Sequence, residues 1–184
     1  MVGTGSVGVV LANQTENVAC QWSPLPQYLA ARGYRVLAFD YGNGDQSAEV
    51  QAAARYLGAD GARPLALIGA SIGGAVVIDA AVHLHPAPAA VVSLSGVPEV
   101  TSYPFPRDAR LLQSPVFQIG GTEDPVTQEG KDTRAMYRAS RSPGKQLLLV
   151  PGVTHGVDFI GAGAGNRIRD AIVAFLRPYR SPSQ

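Results

Sequence analysis

The chain has 184 residues, 46% hydrophobic and 16% charged, enough for one sizeable core and too few for two comfortable domains. Its net charge is +1 with no basic or acidic block, which argues against nucleic acid or an anionic membrane as partner. One cysteine, Cys20, excludes an internal disulfide, and three histidines at 83, 85 and 155 lack metal-ligand spacing, so neither metal nor other cofactor is expected.

Residues 1–6 read as a flexible lead-in. Gly3-Thr4-Gly5-Ser6-Val7-Gly8 matches GxGxxG, but a strand over Val7–Ala12 follows it where a dinucleotide site needs a helix. A polar loop comes next, Asn13-Gln14-Thr15-Glu16-Asn17. Ser23 as N-cap and Pro24 at the first helical position predict a helix that Gly33 ends. Tyr34 to Phe39 is a strand closing on Asp40, whose expected task is to tie the Gly-rich loop Tyr41-Gly42-Asn43-Gly44-Asp45. Ser47 to Leu57 is an amphipathic helix.

Residues 64–68 form a short apolar strand, then Gly69-Ala70-Ser71-Ile72-Gly73-Gly74 turns into the apolar helix that carries Ala75 to Val82. Strands follow at 89–94, 115–119 and 145–150, with a helix over 127–139 between the last two. A final helix spans 166–176, with Pro178 beyond it and a loose tail over 178–184. Gly161-Ala162-Gly163-Ala164-Gly165 is a loop without the Lys-Ser/Thr of a phosphate-binding loop. This alternation implies one doubly wound α/β domain over residues 1–184. Its mostly parallel sheet has about six strands, with helices on both faces.

Ligands of such sheets collect at the carboxyl ends of the strands. Asn13-Gln14-Thr15, Ser71, Gly120-Gly121-Thr122-Glu123-Asp124 and Pro151-Gly152-Val153-Thr154-His155-Gly156 all lie there. Glycines two residues either side of Ser71 suit a strained turn that exposes the hydroxyl, while side chains at 69 and 73 would collide with the neighbouring strand and helix. The bland alternatives are a small residue at a crowded turn for Ser71 and a surface loop for His155. Glu123 could exchange roles with Asp124, and Asp158 is a third candidate acid. His83 and His85 read as exposed at a helix end, Asp79 as paired or at the solvent edge, and Cys20 and Trp22 as packing residues.

Those motifs, with Gly33-Tyr34-Arg35-Val36-Leu37-Ala38-Phe39-Asp40 before its Gly-rich loop, resemble the α/β-hydrolase fold family over roughly Val9 to Leu176. The resemblance implies a catalytic triad. Ser71 would be the nucleophile, His155 the general base and Asp124 the residue that orients the histidine. The oxyanion hole would use backbone N–H groups of Ile72 and of Gln14 or Thr15. Many members carry His-Gly where this chain reads Asn13-Gln14. The family's first two antiparallel strands have no counterpart before Gly8. The segment Ser95 to Ser114, with Pro98, Pro104 and Pro106, reads as a loop and not a helical cap, which implies an open, shallow site.

The resulting expectation is a cofactor-free serine hydrolase of small carboxylic esters, short in the acyl group. A thioesterase, acyltransferase or dienelactone-type hydrolase on the same triad, and a non-catalytic binding protein retaining the fold, stay open as alternatives. Serine in place of cysteine as nucleophile counts against the dienelactone type. No transmembrane span is expected. No basic-then-apolar leader is visible, which favours the cytoplasm unless a signal segment was removed. The sheet edge beside 34–39 would be bare, to be covered by N-terminal residues or paired in a homodimer, so the chain would be a monomer or a dimer through that edge.

Overall fold

A computed structural model describes residues 1–14, 18–98, 107–161 and 165–179. Six strands form one sheet: β1 (Val7–Ala12), β2 (Tyr34–Ala38), β3 (Leu65–Ala70), β4 (Ala90–Leu94), β5 (Val116–Gly121) and β6 (Gln146–Val150). Their order is β2-β1-β3-β4-β5-β6 and every pairing is parallel. The expected sheet is therefore present, wholly parallel where mostly parallel was expected. Among the described residues no helix is long and apolar enough to cross a membrane.

The helices are α1 (Leu25–Ala30), α2 (Gln46–Ala59), α3 (Ile72–His83), α4 (Arg107–Leu111), α5 (Lys131–Ala139) and α6 (Gly165–Leu176). Strand residues alternate between two cores, as a period of two demands. Val9, Leu11, Val36 and Ile68 face one core with Leu25, Leu29, Ile172 and Phe175. Val10, Ala12 and Leu67 face the other with Val50, Leu57, Val76 and Val77.

Several local expectations need correction. The expected lead-in makes contacts of its own: Val2 bridges Val36 antiparallel, with N–H···O distances of 2.9 and 2.8 Å each way, and Thr4 O accepts from Arg35. Val2 thus pairs with the β2 edge at that one bridge. Pro24 caps α1 instead of opening it, because a 3₁₀ turn over Ala19–Trp22 runs directly into the helix. Cys20 is exposed and not packed.

Asp40 ties that turn through Ala19 N–H at 2.6 Å, while Glu49 holds the Gly-rich loop through Gly42 and Gly44 N–H. Part of the segment expected as loop is helical, since Arg107–Leu111 forms α4. Pro104 and Pro106 lie outside the described residues. Pro178 falls within a 3₁₀ turn over Arg177–Tyr179, held by Tyr179 packing edge-on against Phe175 with centroids 5.9 Å apart. The rest of the expected tail, from 180, and residues 162–164 of the Gly-Ala loop also lie outside the described residues.

Candidate active site

Strand β3 delivers Ser71 to a sharp turn. Its backbone sits at φ 53°, ψ −119°, a strained conformation for a residue with a side chain. Three backbone hydrogen bonds hold the turn: Ser71 N–H donates to Leu94 O at 2.8 Å, and Gly74 N–H and Val97 N–H donate to Ser71 O at 2.9 and 3.3 Å. The flanking glycines are sterically required. A Cβ at 69 would overlap the carbonyl of Gly73, and a Cβ at 73 would overlap the carbonyls of Ala12 and Asn13. The first turn of α3 thus lies directly on the chain leaving β1.

Ser71 keeps 5% of its surface exposed. An open, shallow site was expected; the serine as a whole is nearly buried at its elbow.

Asp124 and His155 meet although they are 31 residues apart. His155 Nδ1 lies 2.7 Å from Asp124 Oδ2, with the carboxylate fully buried and the imidazole 20% exposed. The two loops are stitched before those side chains touch. Glu123 N–H donates to Gly152 O at 3.0 Å, and Gly152 N–H to Thr122 Oγ1 at 3.3 Å. Asp124 also accepts from Val126 N–H and from the Thr127 hydroxyl, both at 3.0 Å. A carboxylate so satisfied has no freedom to turn away.

The same turn explains why the helix expected from 127 begins only at Lys131. Gln128, Glu129 and Gly130 all have positive φ, which no α-helix tolerates. Thr127 escaped the sequence reading; the spacing Asp124-Pro125-Val126-Thr127 is its signal, a short polar side chain closing an Asx-type turn.

Glu123 is exposed, so the exchange with Asp124 is not seen. Asp158 lines a separate cavity of about 400 Å³ between β6 and α6, with Leu148, Phe159 and Arg167. Trp22 is buried, as expected of a packing residue.

The structure brings Ser71 to the same sheet end as the pair. A Cβ at Gly156 would stand 3.8 Å from that of Ala70, the residue before Ser71. No hydrogen bond joins Ser71 to His155 among the described residues. Ile72 opens α3, where backbone N–H groups are free of helical partners. Gln14 N–H already donates to Gln21 Oε1, a long bond at 3.4 Å. Thr15 lies outside the described residues. Among the described residues no cluster of three metal-ligating side chains occurs.

No family model matches the chain, and no curated protein matches it in sequence. Its fold does match solved structures. A monoacylglycerol lipase of Paleococcus ferrophilus is similar over 97% of each chain, with TM-score 0.79 and 18% identity. A dienelactone hydrolase of Anabaena variabilis covers 98% of this chain and 90% of its own, with TM-score 0.77 and 21% identity. The esterase domain of a Rhodothermus marinus protein covers 98% and 92%, with TM-score 0.78 and 20% identity. With its parallel sheet, its strained serine turn and these likenesses over almost its whole length, the chain has the α/β-hydrolase fold.

Proposed function

We propose that this chain is a serine hydrolase of carboxylic esters with short acyl groups, acting through Ser71, His155 and Asp124. The observation that carries the reading is the 2.7 Å contact between His155 Nδ1 and the buried Asp124, at the sheet end where Ser71 sits on a strained elbow. With Nδ1 engaged, Nε2 is the nitrogen free to act as base.

In this mechanism Nε2 takes the proton of the Ser71 hydroxyl as Oγ bonds to the ester carbonyl carbon. The carbonyl π electrons move to oxygen, where the Ile72 N–H and a donor from the β1 loop, Thr15 N–H or a Gln14 N–H released from Gln21, receive the charge. Collapse breaks the bond to the alkoxy oxygen, which leaves with the proton from Nε2. Water then repeats the sequence on the acyl-enzyme and frees Ser71. Catalytic hydrogen bonds often close only with substrate in place, so the lack of a Ser71–His155 bond among the described residues fits this scheme. The short Ser95–Ser114 segment supports small acyl groups.

The similar lipase and esterase structures support ester cleavage, and the dienelactone hydrolase keeps lactones as a second reading on the same three residues.

The test is hydrolysis of a short-chain nitrophenyl ester by wild type and Ser71→Ala, with labelling by a serine-directed phosphonate. Turnover should fall by on the order of a millionfold in the variant, and label should be stoichiometric in wild type only. Equal rates in the two proteins would overturn the assignment. A panel of lactones and thioesters then decides the substrate class.

A further inference from the structure

Three segments converge beside Ser71: the chain leaving β1, the first turn of α3 and the loop that carries His155. The side chains of Asn13 and Gln14 lie at their junction. Asn13 is fully buried and both ends of its carboxamide are used. Its Nδ2 donates to Phe39 O at 2.7 Å, and its Oδ1 accepts from Trp22 Nε1 at 2.9 Å. That fixes the exit of β1 against β2 and against the Ala19–Trp22 turn.

Gln14 reaches the other way. Its Oε1 accepts from Val157 N–H at 3.3 Å, across 143 residues of sequence. The same oxygen lies over Gly156, whose φ is +54° and where any Cβ would overlap it. The Gln14 backbone N–H is meanwhile held by Gln21 Oε1, and Gln21 Nε2 donates to Val18 O at 2.7 Å.

We infer that Gln14 is a positioning residue: its carboxamide ties the β1 loop to the loop carrying His155, and so fixes the general base relative to the oxyanion donors. The inference rests on the serine hydrolase reading and deepens it. Where many chains with this fold use His-Gly, glycine lets the loop approach by having no side chain. Here two carboxamides do the holding, and the glycine that makes room is Gly156, on the opposite loop. A misplacement of about 1 Å between reacting groups can cost on the order of a hundredfold in rate, so one tether at this junction has kinetic consequences.

The experiment compares Gln14→Leu, which keeps length and bulk without an acceptor, with Gln14→Glu, which keeps an acceptor oxygen at the same reach. Kinetics on the nitrophenyl ester are read alongside thermal melting and hydrogen exchange at the Val157 amide. In Gln14→Leu, kcat should fall about tenfold to a hundredfold with KM within about twofold, and Val157 should lose protection. Gln14→Glu should recover kcat to within about threefold.

A Gln14→Leu variant as fast as wild type, or one whose whole loss is in KM, overturns the inference. So does an equal loss of kcat in both variants. A wild type that neither turns over nor takes up phosphonate overturns the serine hydrolase reading itself, and this inference with it. A labelled, active wild type beside an indifferent Gln14→Leu overturns the inference alone.

Discussion

The chain contains two aspartate–histidine pairs, one at each end of the helix that follows Ser71. At the N-terminal end, Asp124 and His155 come from separate loops and touch at 2.7 Å. At the C-terminal end, Asp79 and His83 are one helical turn apart, with 3.6 Å between Asp79 Oδ2 and His83 Nδ1. The second imidazole is 55% exposed, and its Nδ1 also lies 2.9 Å from the Asp79 carbonyl, an ordinary helix-end contact. Residue types are identical in the two pairs. The difference is that one carboxylate is fixed by three donors, at the sheet end that carries a strained serine. The other meets a histidine that stands largely in water, with no nucleophile beside it. Spacing of i,i+4 on a helix yields such pairs cheaply; loops stitched at the carboxyl ends of strands do not arise by that route.

The widest separation between the two pairs should come from a single-atom change in each carboxylate. Asp124→Asn retains shape but favours the wrong imidazole tautomer, and kcat should fall on the order of 10⁴-fold in ester hydrolysis. Asp79→Asn should leave kcat within about twofold. If the two substitutions cost the same, the loop pair has no catalytic privilege.

Much of this is legible in the sequence, for identifiable reasons. Burial of the strands on both faces writes itself as runs such as Leu65 to Ala70, and the glycines at 69 and 73 report a close approach of backbone to backbone. The order Ser71, Asp124, His155 at strand ends follows from the alternation of elements. What stays hidden depends on contacts across the chain. Nothing local marks Thr122 as the acceptor for Gly152 N–H, or Gln14 as the partner of Val157. How little of Ser71 is left exposed depends on how tightly neighbouring segments pack at the elbow, which periodicity does not record. The late start of α5 is hidden too, since Gln128 and Glu129 are good helix formers forced to positive φ by the Asp124 turn.

The C-terminal pair should matter to stability and not to turnover. Asp108 on α4 is buried next to Asp79, and burial first, then the neighbouring carboxylate, pushes its pKa from 3.8 up to about 6. His83 and Arg107 act in the opposite direction. The folded chain thus holds this proton to a higher pH than the unfolded chain does. Stability from this group is greatest below about pH 4, declines as pH rises towards 6, and is flat above. Asp108→Asn imitates the protonated acid. Its melting temperature should exceed that of wild type by a few degrees at pH 7, about 2–4 °C per kcal/mol for a chain of this size. The advantage should shrink towards zero near pH 4. A difference independent of pH would mean that Asp108 does not hold this proton, and the Asp124–His155 pair should not register the substitution at all.

The smallest effect belongs to His83. A half-exposed pair on a helix surface is worth roughly 0–1 kcal/mol, and the charge near the helix C-terminus adds a few tenths at most. His83→Gln should therefore lower the melting temperature by less than about 2 °C. The direction is more informative than the size. At pH 7, where Asp108 is charged, His83 offsets the repulsion between Asp108 and Asp79, so part of its effect should vanish in the Asp108→Asn background, as a double-mutant cycle at that pH would read. Additive losses would mean that His83 answers only to its own helix. In either case ester turnover should be untouched. Were His83→Gln to slow hydrolysis as Asp124→Asn does, the C-terminal pair would belong to the chemistry as much as the loop pair does.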